Sequence, residues 1–308
     1  MQTVNAVIAQ SYRNWEMIII DDCSTDNSQH LLSNIETIDA RITAILNKKN
    51  TGGNACRNQG LAQAKGQFVI FLDADDILDN HCLASRIEQA LNFPAADLWV
   101  FPMAIFKQKV GDINANQHWI PPHKGAHYLH LFLKHQLPWQ TMQPLWKKEF
   151  LNRINGFDTH FIRLQDVELH TRALLENAQV ETFPLLKKDC NFRIDENRFG
   201  NKVFNHLDAF SKGAVQYYNK FIVLSKGLET KKYLTGTLLE TLSNVCYQYK
   251  LKKIKKQEYH QISKLLINTC VIAQHKKLLQ SFAFIYSISP LHPKGLKKTV
   301  AILAGIHK

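Results

Sequence analysis

Apolar positions in the first 200 residues take two alternating forms, short unbroken runs and helically spaced sets. The runs WEMIII (15–20), ITAIL (42–46), FVIFL (68–72) and QVETFPLL (179–186) have the length and the β-branched or aromatic content of strands. DLWVFPMAIF (97–106) reads the same way, with Pro102 marking an edge or a bulge because proline cannot donate to a ladder. Between these runs, Ser24, Thr25 and Asp26 supply caps for a helix through about Glu36. ACRNQGLAQAK (55–65), NHCLASRIEQAL (80–91), HYLHLFLKHQ (127–136) and LQDVELHTRALLENA (164–178) carry helical spacing. Such alternation predicts an α/β fold, a mostly parallel sheet flanked by helices. The polar stretch 111–122 predicts an exposed loop. Beyond about residue 203 the strand patterns stop, and YLTGTLLETLSNVCYQY (233–249) and EYHQISKLLINTCVIAQHKKLL (258–279) predict helices.

Charge divides the chain at the same place. The net charge is +12, yet residues 201–308 hold 18 Lys, no Arg and four acids (Asp208, Glu229, Glu240 and Glu258), so the first 200 residues are close to neutral. Two units are predicted, an α/β domain over 1–200 and a Lys-rich helical region over 201–308. Basic amphipathic helices such as LKKIKK (251–256) fit either a solvated bundle face or docking on an anionic membrane surface. Nucleic acid is a poor partner, since this region lacks Arg and any recognition motif. No run of 18 apolar residues is present to span a membrane, and MQTVNAVIAQSY is not a signal peptide. Six scattered cysteines without a Cys-x-x-Cys pair fit reduced thiols, hence a cytoplasmic location.

Candidate chemistry lies where strands end. MIIIDD (17–22) and IFLDADD (70–76) both finish in carboxylates. Two carboxylates about 4 Å apart repel by roughly 4 kcal/mol at an effective dielectric near 20. One such cluster is as well explained by a solvated turn. Two clusters at the carboxyl edge of one sheet describe a pocket for a nucleoside diphosphate carrying Mg2+ or Mn2+, because hard cations take carboxylate and phosphate oxygens. Asn50-Thr51-Gly52-Gly53 is not a P-loop, as the Gly-Lys-Ser/Thr ending is missing.

Three ordered blocks carry a resemblance: QSYRNWEMIIIDDCSTDNS (10–28), NTGGNACRNQGLAQAKGQFVIFLDADD (50–76) and NGFDTHFIRLQDVELHTRAL (155–174). They resemble inverting glycosyltransferase family two, which has the Rossmann-like GT-A fold, over roughly residues 1–200. The resemblance implies a sugar transferase using a nucleotide-sugar donor, a UDP-sugar, and a glycan or lipid-linked acceptor in surface polysaccharide or lipopolysaccharide synthesis. It implies that Asp22 holds the base, that Arg57 anchors the nucleotide, and that Asp75 ligates the metal. Asp73 contacts the ribose or shares that metal, and Asp76 supports the shell or faces the sugar. Asp166 is implied to be the general base, in a Gln165-Asp166 pair where relatives show Glu-Asp. An acid in the first turn of a helix is favoured in its charged form by the macrodipole. Trp139 and Trp146 are candidate platforms for the acceptor or core residues, and Arg193 and Arg198 fall where relatives carry a mobile loop over the diphosphate.

Family members open with a strand that precedes the helix in which Met1 falls. The expectation is a start assigned too late; a truncated, inactive product and a substitute strand are the alternatives. A non-catalytic nucleotide-sugar-binding or scaffold protein is accordingly the alternative function.

Overall fold

The computed structural model describes residues 1–113, 119–123, 127–194, 202–225, 227–289, 293 and 295–306. Its elements run α1 (Gln2–Ile8), β1 (Met17–Asp21), α2 (Ser28–Leu32), a 3-10 turn (Ile35–Thr37), β2 (Ile42–Leu46), α3 (Gly53–Gln63), β3 (Phe68–Val69), β4 (Ile77–Leu78), α4 (Cys82–Asn92), β5 (Leu98–Val100) and β6 (Met103–Phe106). They continue with α5 (Tyr128–Leu133), β7 (Pro144–Lys147), α6 (Lys148–Arg153), α7 (Gln165–Leu175), β8 (Val180–Thr182) and β9 (Cys190–Arg193). Helices α8 (Val203–Leu224), α9 (Leu228–Lys250), α10 (Lys256–Thr269), α11 (Ala273–Ile288) and α12 (Leu296–Leu303) complete the chain.

Two units divide these elements. The first comprises Met1–Ala126, Pro138–His160 and Gln165–Asp195; the second comprises His127–Leu137, Phe161–Leu164 and Glu196–Lys308. Segments 127–137 and 161–164 therefore cluster with the C-terminal helices.

In the first unit the expected α/β class is present, but the sheet is mixed rather than mostly parallel. β1–β2, β5–β8 and β6–β9 pair parallel, while β3–β7, β4–β9 and β5–β7 pair antiparallel. Pairing gives a β1–β2 ribbon, a sheet in the order β3-β7-β5-β8 and a sheet in the order β4-β9-β6. Pro102 has a larger effect than the expected bulge. With no N–H to donate, it splits DLWVFPMAIF into β5 and β6, which join different sheets. FVIFL also departs from expectation: only Phe68 and Val69 make ladder bonds, to Lys147 and Trp146. Beyond them Ile70 packs beside Trp99 and Leu145, and Phe71 meets Phe157 edge-on at 4.9 Å. The expected helix through Glu36 ends at Leu32 and resumes only as the 3-10 turn.

Burial places the core of the first unit under α4 and β5–β7. Trp99, Trp146 and Phe101 are almost fully buried there. Arg86 of α4 lies in the same core, 0% exposed, and all three of its guanidinium nitrogens donate. It donates to both carboxylate oxygens of buried Asp189 at 2.7 and 2.8 Å and to the Met142 carbonyl at 2.9 Å. The second unit is a helical bundle whose core includes Tyr217, Phe221, Leu238, Leu242, Ile262 and Phe282. No described helix is long and apolar enough to cross a membrane. All six cysteines are free thiols.

Breaking a buried ion pair strands a charge and costs about 3–5 kcal/mol, whereas replacing both partners by apolar groups is often neutral. Arg86→Ala is therefore expected to lower unfolding free energy by that amount in urea denaturation. The double substitution Arg86→Met/Asp189→Leu should recover most of the loss. Equal stability of Arg86→Ala and the parent would show that the pair does not hold this core.

Candidate active site

The site is assembled by one face of α3. Asn54, Arg57 and Asn58 sit at i, i+3 and i+4, so their side chains leave the helix on the same side. Asn58 exchanges two hydrogen bonds with the backbone of Phe157, both at 2.8 Å, and Asn54 donates to the Asp158 carbonyl at 2.7 Å. The close approach dictates the neighbouring residue. Gly156 has φ +57, and a Cβ there would stand 2.4 Å from the Asn58 side-chain oxygen. Glycine alone accommodates both demands.

Arg57 spans the two remaining blocks. One guanidinium nitrogen donates to Asp73 at 2.8 Å and another to the side-chain oxygen of Gln165 at 2.9 Å, while the group lies 5.3 Å from the Phe157 ring. One planar cation thus ties the Asp-x-Asp turn to the first turn of α7. That helix is anchored again by Arg172, which pairs with buried Glu168 at 2.7 Å and donates to the carbonyls of Ile154 and Gly156.

The acids of the site occupy different electrostatic surroundings. Asp21 is buried and structural, accepting from the Ser24 amide at 3.1 Å and from Gln29 at 3.0 Å. Asp22 closes on the next loop instead. Its Oδ1 accepts from the Thr51 amide at 2.8 Å, the Thr51 hydroxyl at 3.0 Å and Asn47 at 3.4 Å, and its Oδ2 from the Gly52 amide at 2.7 Å. Desolvation alone would raise its pKa, but these donors win and hold it down at about 2. The Oδ2 atom keeps an unused lone pair.

Asp76 goes the opposite way. It is 2% exposed, and burial, reinforced by the charges of Asp73 and Asp75, pushes its pKa up to about 7 against a single opposing bond from the Arg193 amide. Asp75 is exposed at the turn. Arg193 clasps that turn, donating to the Asp75 carbonyl at 2.9 Å and to Gln2 at 2.8 Å. Arg198 lies outside the described residues.

Asp166 stands in the first turn of α7, as expected, yet its pKa is raised rather than lowered. Burial of the carboxyl outweighs the Val167 amide, the charge of Arg57 and the Thr141 hydroxyl that bonds to it. Thr141 also lines a narrow cleft with Asp73, Asp76, Gln140 and Phe192, so the cleft borders the Asp-x-Asp turn and the hydroxyl that bonds to Asp166. Trp139 and Trp146 are core residues, 1% and 0% exposed, which corrects the reading of either as an acceptor platform. A ring with no free face cannot stack on a sugar.

Among the described residues no three acids, histidines or cysteines already converge as a metal cage. The donors still suit a hard cation, which takes one or two carboxylates and completes its shell with water and phosphate oxygens. Three carboxylates within four positions, Asp73, Asp75 and Asp76, are the observation that favours positive charge here.

Sequence reasoning missed three participants. Gln165 holds Arg57, Asn58 sets the 156–157 turn, and Thr141 serves Asp166. Gln165 and Asn58 stood inside quoted blocks and were legible as helix-face partners; Thr141 carried no local signal.

Residues 1–153 match the model of the family described as glycosyl transferase family 2. Over 86 residues the chain is 43% identical to the putative teichuronic acid biosynthesis glycosyltransferase TuaG of Bacillus subtilis, covering 28% of this chain and 34% of that one. Over 90 residues it is 34% identical to the UDP-Glc:alpha-D-GlcNAc-diphosphoundecaprenol beta-1,3-glucosyltransferase WfgD of Escherichia coli, covering 29% and 33%. The matched stretch is about a third of the length of these curated relatives. The crystal structure of S. aureus TarS 1-349 in complex with UDP-GlcNAc superposes with a TM-score of 0.67 at 16% identity, over 98% of this chain and 87% of that one. This likeness establishes the GT-A fold.

The raised pKa of Asp76 has a consequence for stability. Between pH 4 and 7 the folded chain keeps a proton that the unfolded chain has released, so stability falls as pH rises through this window. Asp76→Asn, measured in EDTA, should match the parent at pH 4 and exceed it by a few kcal/mol at pH 8. Identical thermal unfolding of the two at both pH values would remove the assigned shift.

Proposed function

We propose that this chain, whose residues 1–153 form a glycosyl transferase family 2 domain on a GT-A fold, moves a sugar from a UDP-sugar to an acceptor hydroxyl with inversion. The observation that carries this reading is the Arg57 bridge, which sets the Asp-x-Asp turn and the Gln165-Asp166 pair at a fixed separation. A donor diphosphate at the first and an attacking hydroxyl at the second would lie on either side of one anomeric carbon. The surroundings of each residue support the role given to it.

The remaining lone pair on Asp22 Oδ2 accepts the N3–H of uracil, while the Thr51-Gly52 loop keeps that carboxylate ionised and aimed. Arg57 contributes positive charge to the nucleotide side. Asp75 and the Asp73 oxygen that Arg57 does not take would hold Mg2+ or Mn2+, which would supply Lewis-acid charge against the leaving diphosphate. Asp76 backs this turn from beneath, and Arg193 keeps it closed. Asp166 takes the proton of the acceptor hydroxyl as general base. Its raised pKa makes it a stronger base than an ordinary carboxylate, and Arg57 keeps the rise within limits. The displacement needs no covalent enzyme intermediate, because the hydroxyl oxygen forms the new bond as the diphosphate oxygen leaves.

Glycan or lipid-linked acceptors in surface polysaccharide synthesis are supported by what the relatives' names state of those proteins. Peripheral contact with an anionic membrane, on its cytoplasmic face, is supported by exposed Phe284 and Ile288 on the same helix as exposed Lys277. Co-sedimentation with anionic but not neutral vesicles tests it; no sedimentation with either removes it.

Calorimetric titration with UDP should show binding that needs Mn2+ and is lost in Asp75→Ala. Asp166→Asn should abolish sugar transfer, a fall of at least about 100-fold for a lost general base, while UDP affinity stays unchanged. Equal loss of transfer and UDP binding in Asp166→Asn would refute its role as base. UDP binding without any transfer by the parent chain would favour the non-catalytic alternative.

A further inference from the structure

Successive carbonyls of the acid turn, those of Asp73, Ala74 and Asp75, each accept a hydrogen bond, and each donor comes from a different place. Asp76 donates its amide to the Asp73 carbonyl at 3.2 Å, which closes the turn on itself. The Asp75 carbonyl takes the Arg193 side chain at 2.9 Å. Between them the Ala74 carbonyl accepts from the hydroxyl of Thr3 at 2.7 Å, across 71 positions of chain. Thr3 belongs to α1 and is 7% exposed.

These bonds matter most for Asp75. Asp73 is held through its carboxylate, by Arg57 at 2.8 Å. The Asp75 carboxylate is exposed and has no hydrogen bond among the described residues, so its direction depends on its backbone. The Ala74 carbonyl belongs to the peptide plane before Asp75, and the Asp75 carbonyl to the plane after it. Fixing both planes fixes the two soft dihedrals of Asp75, and with them the line along which its side chain leaves the chain. Without the Thr3 hydroxyl the first plane is free to turn.

Helix α1 acts as a fixed arm because it is tied down along its length. Val4 packs with Ile35 and Ile42, and Val7 with Leu78 and Cys82. Just beyond the helix Gln10 is fully buried, donating to the Asp79 carbonyl at 2.7 Å and accepting from the Leu83 amide at 2.9 Å. At the other end Gln2 accepts from Arg193 at 2.8 Å. The two side chains that clamp the backbone of Asp75 are thus joined to each other through α1.

We propose that Thr3 is a positioning residue for the metal-binding acids, acting on Asp75 through the Ala74 carbonyl without touching metal or donor. This role rests on the reading of Asp75 as a ligand for Mg2+ or Mn2+. Groups that orient a metal ligand are worth roughly 10–100-fold in metal affinity.

Titration of the full chain with Mn2+ alone, followed by water-proton relaxation, tests the role, and the binding lost in Asp75→Ala defines the site. Thr3→Val keeps the shape of the side chain and removes its hydroxyl, so Mn2+ binding at least about tenfold weaker is expected. Thr3→Ser restores the donor and should return most of the lost affinity. Val7→Ala removes packing from the same helix but no donor to the turn; it should lower the melting temperature and leave Mn2+ affinity unchanged. In EDTA the 15N amide resonance of Asp75, which shares a peptide unit with the Ala74 carbonyl, should move in Thr3→Val and move back in Thr3→Ser. Parental affinity in Thr3→Val, or equal losses in Thr3→Val and Val7→Ala, overturns the proposal while leaving the metal site in place. Absence from the parent of any Mn2+ binding that Asp75→Ala removes would overturn the metal reading itself, and this role with it.

Discussion

A single guanidinium sets the geometry of the candidate site. Arg57 donates to Asp73 and to Gln165, more than 90 residues apart in sequence from each other, and so fixes the spacing between the acid turn after β3 and the start of α7. A planar, permanently charged fork is suited to this, because two of its N–H vectors are rigidly related. A lysine would supply the charge without the relation. Around this bridge the same face of α3 adds Asn54 and Asn58, which close the 156–158 turn through neutral bonds. Helix α7 is thus held from two sides, by α3 at its start and by Arg172 at the Ile154 and Gly156 carbonyls.

That frame gives chemically identical carboxylates different tasks. Asp22 meets four donors and is held ionised down to about pH 2. Asp76 meets one backbone amide, dry surroundings and two like charges, and keeps its proton to about pH 7. Asp166 is raised by burial, against the restraint of the Val167 amide, the charge of Arg57 and the Thr141 hydroxyl. The helix macrodipole suggested an ionised Asp166 with a low pKa. Burial reversed the direction because desolvation of a carboxyl group outweighs a partial charge at a helix end.

Some of this was readable beforehand. ITAIL became β2 residue for residue, and WEMIII gave its last four residues to β1, because strand length and β-branched content agree there with the tertiary pairing. The acid clusters stood out because there are two of them after strand-like runs, where one alone reads as a solvated turn. Trp139 was misleading, since an indole beside a proline reads the same whether it lines a pocket or fills a core. FVIFL was misleading too: five apolar residues gave two of ladder and three of packing. Pattern reports burial, and it does not report which neighbour offers hydrogen bonds.

The amino-acid sequence by itself determined the class of the fold, the change from mixed α/β to helices near residue 203, the uneven distribution of lysine and the acid clusters after two strand-like runs. These follow from local properties: periodicity, side-chain charge and the limits of glycine and proline. Tertiary structure alone decided that Pro102 separates two sheets, that Thr141 reaches Asp166, and that Gly156 must lack a side chain beneath Asn58. It also decided which carboxylates are ionised. Each of these depends on atoms brought within a few ångströms from distant parts of the chain, where desolvation and hydrogen bonding outweigh any preference that a residue carries alone.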